Sequence, residues 1–246
     1  KMPNLFRLKM VISLLKIHEK LFHPNFGSAF FQLYADTSPE DMVIFDIGAH
    51  RGERVGAFSR LFPGAEIHAF EPDAENFCRL HADWGGVENV RVNNIGVGDH
   101  NGEREFYQHL LTTTSTFQQI NMESEWVKLK SKLLNVPLDE LIYKTYKVQM
   151  VKLDDYVREN SIEHICILKF DTEGSEFECL EGCQEILAGK RVDVIQVEGH
   201  HGDVYRDSAS YDQIVEFLAG YGYACYKQRQ RFLNRDLVDA ILVREG

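Results

Sequence analysis

Two acidic stretches, far apart in the chain, carry the residues best suited to chemistry. The first is Val43-Ile44-Phe45-Asp46-Ile47-Gly48-Ala49-His50-Arg51-Gly52, and the second is Cys166-Ile167-Leu168-Lys169-Phe170-Asp171-Thr172-Glu173-Gly174-Ser175-Glu176. Each is a short apolar run that ends in an aspartate and passes into small or glycine residues. That pattern marks the carboxyl edge of a parallel sheet, where open α/β proteins keep their ligands. Gly48 permits a tight turn and close backbone approach. Gly52 leaves the start of the next helix open, so that amide hydrogens and a ligand can share the space. Roughly twenty residues beyond the turn, Phe70-Glu71-Pro72 supplies a carboxylate able to accept hydrogen bonds from both hydroxyls of a ribose.

A glycine turn with a ribose acid fits any adenosine-type cofactor, and spacing alone leaves NAD and S-adenosylmethionine both open. The three-glycine spacing that anchors a pyrophosphate is absent. Position 46 carries an acid instead, repulsive beside a diphosphate and attractive beside the ammonium of a methionine moiety. The balance tips toward the sulfonium cofactor, with Asp46, Gly48, His50 and Gly52 as candidate cofactor-binding residues.

Other residues fall at the same edge. Asn94, after the third strand, has a donor and an acceptor with which to read an adenine ring. Glu173 can accept a substrate proton, and Asp171 can hold the cofactor amine or a substrate hydroxyl. Glu198-Gly199-His200-His201 ends the following strand, so either His200 or His201 is a candidate general base. Asp171, Glu173, Glu198 and His200 are acceptable ligand types for magnesium or manganese. No dedicated loop or helix pairing supports them, and no metal is assigned. Ser175 lacks the glycine-flanked elbow of a hydrolase nucleophile.

These residues need a scaffold, and the alternation of patterns supplies one. Strands are expected at 43–47, 66–71, 89–93, 104–108, 147–151, 165–170, 192–197, 223–226 and 240–243. Helices are expected at 53–61, from Pro72-Asp73 to Leu80, and at 153–159, 175–187 and 211–219. Strands separated by helical runs mean an α/β fold, a mostly parallel sheet with helices on both faces. Residues 1–40 read as an amino-terminal helical extension, with an amphipathic helix over 4–20 and a loop plus short helix over 22–34. Residues 41–246 read as a single domain. Within it, 109–146 is irregular and suits a lid or substrate element. Its Lys128, Lys130, Lys132 and Lys144 could meet an anionic substrate or lie on a solvated face.

With 246 residues, 44% of them apolar, the chain can bury a sizeable core, and its net charge of -11 argues against a protein that binds mainly nucleic-acid phosphates. The 5 cysteines form no zinc-type pairs and read as reduced, mostly buried thiols. No run is long enough for a membrane span. The apolar stretch within 5–20 is interrupted by charges and has no cleavage site, so a place in the cytoplasm is expected.

Taken together, the glycine-turn block, Phe70-Glu71-Pro72, Val151-Lys152-Leu153-Asp154-Asp155-Tyr156, the block Leu168 to Glu176 and Leu180-Glu181-Gly182-Cys183 resemble the FkbM-type methyltransferase family. The resemblance covers about 41–243. It implies a Rossmann-like class I fold with a seven-stranded sheet and an inserted hairpin or lid. It also implies S-adenosylmethionine as cofactor and S-adenosylhomocysteine as product. Asp46 and Gly48 would line the methionine side, Glu71 the ribose, and Asp171 to Glu176 the active-site floor. The chain departs from the family's usual pattern at His50, Phe170 and Thr172. Expected activity is O-methylation of a small hydroxylated molecule such as a sugar, glycan or natural product. N-methylation and a non-catalytic cofactor-binding module are the alternatives, and the sequence leaves the oligomeric state open.

Overall fold

β1 (Val43–Ile47) and β7 (Ile165–Phe170) are short apolar strands at the centre of the sheet, and they set its topology. The protein is represented by a computed structural model that describes residues 26–206, 208–231 and 236–245. The main sheet adds β2 (Glu66–Phe70), β3 (Val90–Asn93), β8 (Val192–His200), β9 (Tyr223–Gln230) and β10 (Leu237–Arg244), in the order β3-β2-β1-β7-β8-β10-β9. Neighbouring strands are parallel from β3 through to β8, while β10 runs antiparallel to both β8 and β9. The expected seven-stranded, mostly parallel α/β sheet is therefore present. The order reverses between β1 and β7, and that switch point opens a crevice at the carboxyl ends of the strands.

Alternation along β1 and β7 feeds two cores. Phe45, Leu168 and Phe170 point to one face, packed with Leu180, Ile186 and Leu218. Ile44 and Ile167 point to the other, packed with Val55, Phe58 and Leu80. The helices that cover these faces begin where side chains replace missing backbone partners. Asp73 accepts hydrogen bonds from the amides of Glu75 and Asn76, both at 2.9 Å, and starts α3 (Ala74–Trp84). Ser210 and Gln213 close a capping box on α8 (Tyr211–Ala219). Between them in sequence lie α4 (Glu125–Leu134), α5 (Leu153–Glu159), α6 (Glu176–Glu181) and α7 (Gln184–Ala188); α1 (Gly27–Leu33) and α2 (Glu53–Leu61) precede them all.

Several expectations are corrected. The single helix expected over 175–187 is split into α6 and α7. The carboxylate of Asp154 accepts from the amides of Glu185 and Ile186, both at 3.0 Å, and so caps a fresh helix start. The Leu153-Asp154-Asp155-Tyr156 block is thus structural, serving a neighbouring helix. The irregular stretch is shorter than 109–146, because β6 (Ile142–Val151) begins well before Lys147 and pairs antiparallel with β5 (Gly102–His109). With β4 (Gly96–Val97) these form a second, three-stranded sheet. What the hairpin carries at its tip is α4 flanked by two 3-10 turns. The helix expected over 4–20 lies outside the described residues. Of the stretch 22–34, α1 is helical and buries Phe30 against Phe58, their ring centres 5.8 Å apart. No helix among the described residues is long and apolar enough to cross a membrane.

Candidate active site

Strand register gathers the acids. β1 pairs with β7 so that Asp46 faces Lys169 and Ile47 faces Phe170, while Ile47 also faces Phe70 on β2 and Phe170 faces Val197 on β8. The next residues along these strands are Gly48, Glu71, Asp171 and Glu198. β1, β2 and β7 end here side by side, while β8 runs on to His200, so Glu198 joins this edge from within its strand.

The glycine turn is fixed by its neighbours. Gly48 has φ +79, and a Cβ there would stand 2.0 Å from the carbonyl oxygen of Asp171. Its amide and that of Ala49 both donate to the carbonyl of Phe70, at 3.0 and 2.9 Å. At Gly52 the expectation of open space for a ligand is wrong: φ is +88, and the Trp84 indole lies 2.6 Å from where a Cβ would be. Packing of α3 on α2 requires that glycine. His50 is also left-handed, at φ 50, and its amide donates to Glu71 Oε2 at 2.7 Å.

Asp46 lies deeper than its position in the motif suggests. It is fully buried, its Oδ1 accepts from Lys169 Nζ at 2.7 Å, and Lys169 Nζ is also 3.5 Å from Asp171 Oδ2. Burial pushes Asp46 upward while Lys169 pulls it back; burial would lower Lys169, but Asp46 and Asp171 raise it on balance. Asp46 Oδ2 has no hydrogen-bond partner among the described residues. The acid open to the crevice is instead Asp171, whose side chain is 29% exposed. Direct contact between Asp46 and a cofactor ammonium, expected from the sequence, is thus replaced by a buried Asp46–Lys169–Asp171 chain beneath the crevice.

Glu71 is nearly buried, and its Oε1 accepts from the Asp73 amide at 2.8 Å. Burial pushes it up to about 8, against the pull of its two backbone amide donors. Between the ordinary carboxylate value and that level, the folded state binds more protons than the unfolded chain, so stability contributed by this group falls as pH rises across the window. Replacing Glu71 by glutamine is expected to flatten this loss. Urea unfolding of both proteins between about pH 5 and 9 checks it: parallel curves for the two would contradict the assignment. Asn94 is corrected as well. Its Nδ2 donates to the carbonyl of Glu71 at 2.8 Å, so it pins the end of β2 rather than presenting that group to a ring.

The far side of the crevice is a cluster of carboxylates. Asp171, Glu173 and Glu198 each bring an oxygen within 4.8 Å of the others. Glu173 sits at φ 55 in a turn that the Glu176 carboxylate braces, accepting from the amides of Thr172 at 2.7 Å and Gly174 at 3.0 Å. Tyr205 donates its hydroxyl to Glu173 Oε2 at 2.6 Å. Arg231 pairs with Glu198 and, at 2.9 Å, with Asp239. Burial raises Glu173; Lys130, the Tyr205 hydroxyl and Arg231 oppose that rise, and Asp171 adds to it. Because Glu198 and Glu173 already hold Arg231 and Tyr205, the trio stands as a compensated acidic rim.

The histidines are placed differently from the sequence expectation. His200 is buried; Nδ1 lies 3.1 Å from the Gly202 carbonyl and Nε2 3.3 Å from Ser208 Oγ, so both ring nitrogens are engaged. His201 turns away toward α8, stacking edge-on to Tyr211 with Nδ1 3.6 Å from Asp212. Both histidines are thus engaged by neighbouring protein groups rather than turned toward the Asp171–Glu173–Glu198 cluster.

The β5–β6 hairpin makes three contacts around the rim, two from its tip and one from Tyr146 within β6. His50 Nε2 meets Thr112 Oγ1 at 3.3 Å, Thr116 donates to the Glu173 carbonyl at 2.7 Å, and Tyr146 donates to Asp73 at 3.3 Å. Of its lysines, Lys128 pairs with Glu123 and Glu125 on the surface, and Lys144 lies over the Tyr146 ring. Lys130 alone of these three faces inward, close enough for its charge to act on Glu173.

Lys169, Tyr205 and Arg231 were not singled out by the sequence reading. A lone lysine inside an otherwise apolar strand, two residues before an acid, is a signal that could have found Lys169. Nothing in the pattern marks Tyr205 or Arg231. The whole rim, acidic and hydroxyl-accepting, suits a ligand that carries positive charge and ribose-like donors.

Comparison with known proteins gives one consistent result. The family described as "Methyltransferase FkbM domain" matches residues 46–225. The chain is 25% identical over 191 residues to "2-O-methyltransferase NoeI" of Sinorhizobium fredii, covering 74% of this chain and 72% of that protein. It is 26% identical over 196 residues to "31-O-demethyl-FK506 methyltransferase FkbM" of Streptomyces tacrolimicus, with the same 74% and 72% coverage. Among solved structures, methyltransferase FkbM from Methylobacillus flagellatus KT superposes with a TM-score of 0.53 at 15% identity, covering 82% of this chain and 44% of that one. That likeness shows the fold, and the chain spans less than half of the solved one.

Proposed function

The chain belongs to the FkbM methyltransferase family of S-adenosylmethionine-dependent enzymes, and from that premise we propose that it methylates a hydroxyl of a small molecule at the acidic rim. The observation that carries this reading is Glu173, a carboxylate held by Tyr205 and raised by burial beside the open Asp171. S-adenosylmethionine, when bound, supplies a methyl group already activated on a positively charged sulfur. What remains for the protein is to bind, align and accept a proton.

In this reading Glu71 accepts the ribose hydroxyls through lone pairs beyond its two amide contacts. Asp171 faces the methionine amine and is held in place by Lys169, with Asp46 below as the counter-charge. Glu173 accepts the proton of the acceptor hydroxyl as the oxygen takes the methyl. The carboxylate rim also favours a positively charged donor electrostatically. No step calls for a metal, since Glu198 and Glu173 already have partners.

An oxygen acceptor is supported by the names of the two relatives, each of which specifies an O-methylation. A small molecule rather than a nucleic acid is supported by the net charge of -11. The test is incubation with methyl-labelled S-adenosylmethionine and matched panels of alcohols, phenols, sugars, amines and RNA. Label carried on oxygen of a small acceptor is expected. Label exclusively on nitrogen, or only on RNA, would overturn the reading.

A further inference from the structure

The crevice lies at the carboxyl ends of the parallel strands. At their opposite, amino ends a second group of metal-ligating side chains comes together. His164 stands just before β7 and Cys166 lies within it, two residues on, which brings both side chains to one face. β8 runs parallel to β7 with Val192 beside Ile165 and Val194 beside Ile167, so Asp193 is level with Cys166. A ring nitrogen of His164, the Cys166 sulfur and a carboxylate oxygen of Asp193 all lie within 4.8 Å of one another.

The surroundings suit an ion. Cys166 is buried, whereas the side chains of His164 and Asp193 are 42% and 33% exposed, so an open approach from solvent leads to a sheltered sulfur. His164 Nε2 is 2.7 Å from Asp193 Oδ2, and Arg244, at the end of β10, donates to the other oxygen, Oδ1, at 3.1 Å. Arg244 thereby orients the carboxylate and leaves Oδ2 to the cluster. Tyr34, just after α1, donates its hydroxyl to the Cys166 carbonyl and fixes the strand there. Burial pushes the Cys166 thiol up and the charges of Asp193 and Asp41 add to that, while the Val43 amide opposes it. A cation among these groups reverses the electrostatic push, and the sulfur then binds as thiolate.

We propose that His164, Cys166 and Asp193 bind one zinc-class divalent ion, with water in the fourth position. Thiolate, imidazole and carboxylate together are a donor set for such an ion, whereas magnesium and calcium take oxygen ligands. Tetrahedral zinc sets ligand atoms of these types about 3.3–3.6 Å apart, so His164 and Asp193 part slightly and the sulfur draws in. Binding displaces the thiol proton and the proton that His164 shares with Asp193. The ion ties β7 to β8 and, through Arg244, to β10 at the end of the sheet away from the crevice. Its role is structural, and the inference does not depend on the methyltransferase reading.

The test is titration of Co²⁺ and then Zn²⁺ into the intact, chelator-treated chain. Co²⁺ is expected to give a thiolate-to-metal charge-transfer band that saturates at one ion per chain and is bleached when Zn²⁺ displaces it. Cys166→Ser should abolish the band, and His164→Gln should weaken binding about tenfold or more. Cys78 and Cys225 are the exposed thiols, so the double variant Cys78→Ser/Cys225→Ser should keep the band unchanged. Saturating Zn²⁺ should also raise the Tm of the wild-type chain, and raise it less in His164→Gln. Because the His164 side chain is on the surface, that variant keeps the test open should Cys166→Ser fail to fold. No band on the wild-type chain would overturn the proposal, as would a band that survives Cys166→Ser or one that disappears with Cys78 and Cys225.

Discussion

Replacing Lys169 by methionine is expected to lower the unfolding free energy by about 3–5 kcal/mol and to weaken donor binding with it. Lys169 and Asp46 are 1% and 0% exposed and lie 2.7 Å apart, so removing the cation strands an acid in the core with no water to take its charge. The same change frees Asp171, whose Oδ2 is 3.5 Å from that ammonium, to move within the crevice. The partner change Asp46→Asn should cost less, because Lys169 Nζ keeps Asp171 Oδ2 at 3.5 Å. The double variant, a neutral pair of similar volume, should recover a large part of the loss. Urea unfolding of the four proteins closes the cycle. Single variants that each cost under about 1 kcal/mol, or a double variant no better than their sum, would show that the buried pair does not hold this edge together.

The second large effect belongs to Glu173. As the group that takes the acceptor proton, its replacement by glutamine should lower kcat about 10²-fold or more, with binding of S-adenosylhomocysteine little changed. The pH profile carries the sign. Glu173 works only when deprotonated and burial raises it, so kcat should fall as pH drops through that raised value. The groups facing it are Lys130 from α4, Tyr205 from the loop after β8, Arg231 from beyond β9, and Asp171 from its own turn. The Tyr205 hydroxyl pulls Glu173 down, so Tyr205→Phe should move the acid limb to higher pH. A limb that moves to lower pH, or a Glu173→Gln variant with unchanged turnover, would reassign the proton acceptor.

Much of this layout is written in the strands. Apolar runs ending in an acid located β1, β2 and β7, and register then forced Gly48, Glu71 and Asp171 onto one rim. Depth was not legible. The same pattern that puts Asp46 near a crevice also lets it sink fully between β1 and β7, because the lysine that compensates it comes from the other strand. The histidines were misjudged because β8 continues to His200, and the loop after it folds back to engage both nitrogens. Asn94 and Gly52 had local duties, to a carbonyl and to Trp84, that a linear motif does not record. Among the lysines a helical reading would have helped. Val127, Lys130 and Leu134 share one stripe of α4, so the inward-facing lysine was predictable from phase once the helix was known. Tyr205 and Arg231 come from distant loops, and only the fold brings them to the acids.

The most direct measurement is a crystal structure of the intact chain soaked with S-adenosylhomocysteine. The expected result has the ribose hydroxyls on Glu71, the amine over Asp171 above the buried Lys169, and the sulfur facing Glu173. A ligand bound elsewhere, or one whose ribose and sulfur lie away from Glu71 and Glu173, would contradict the assignment of this rim as the methyl-transfer site.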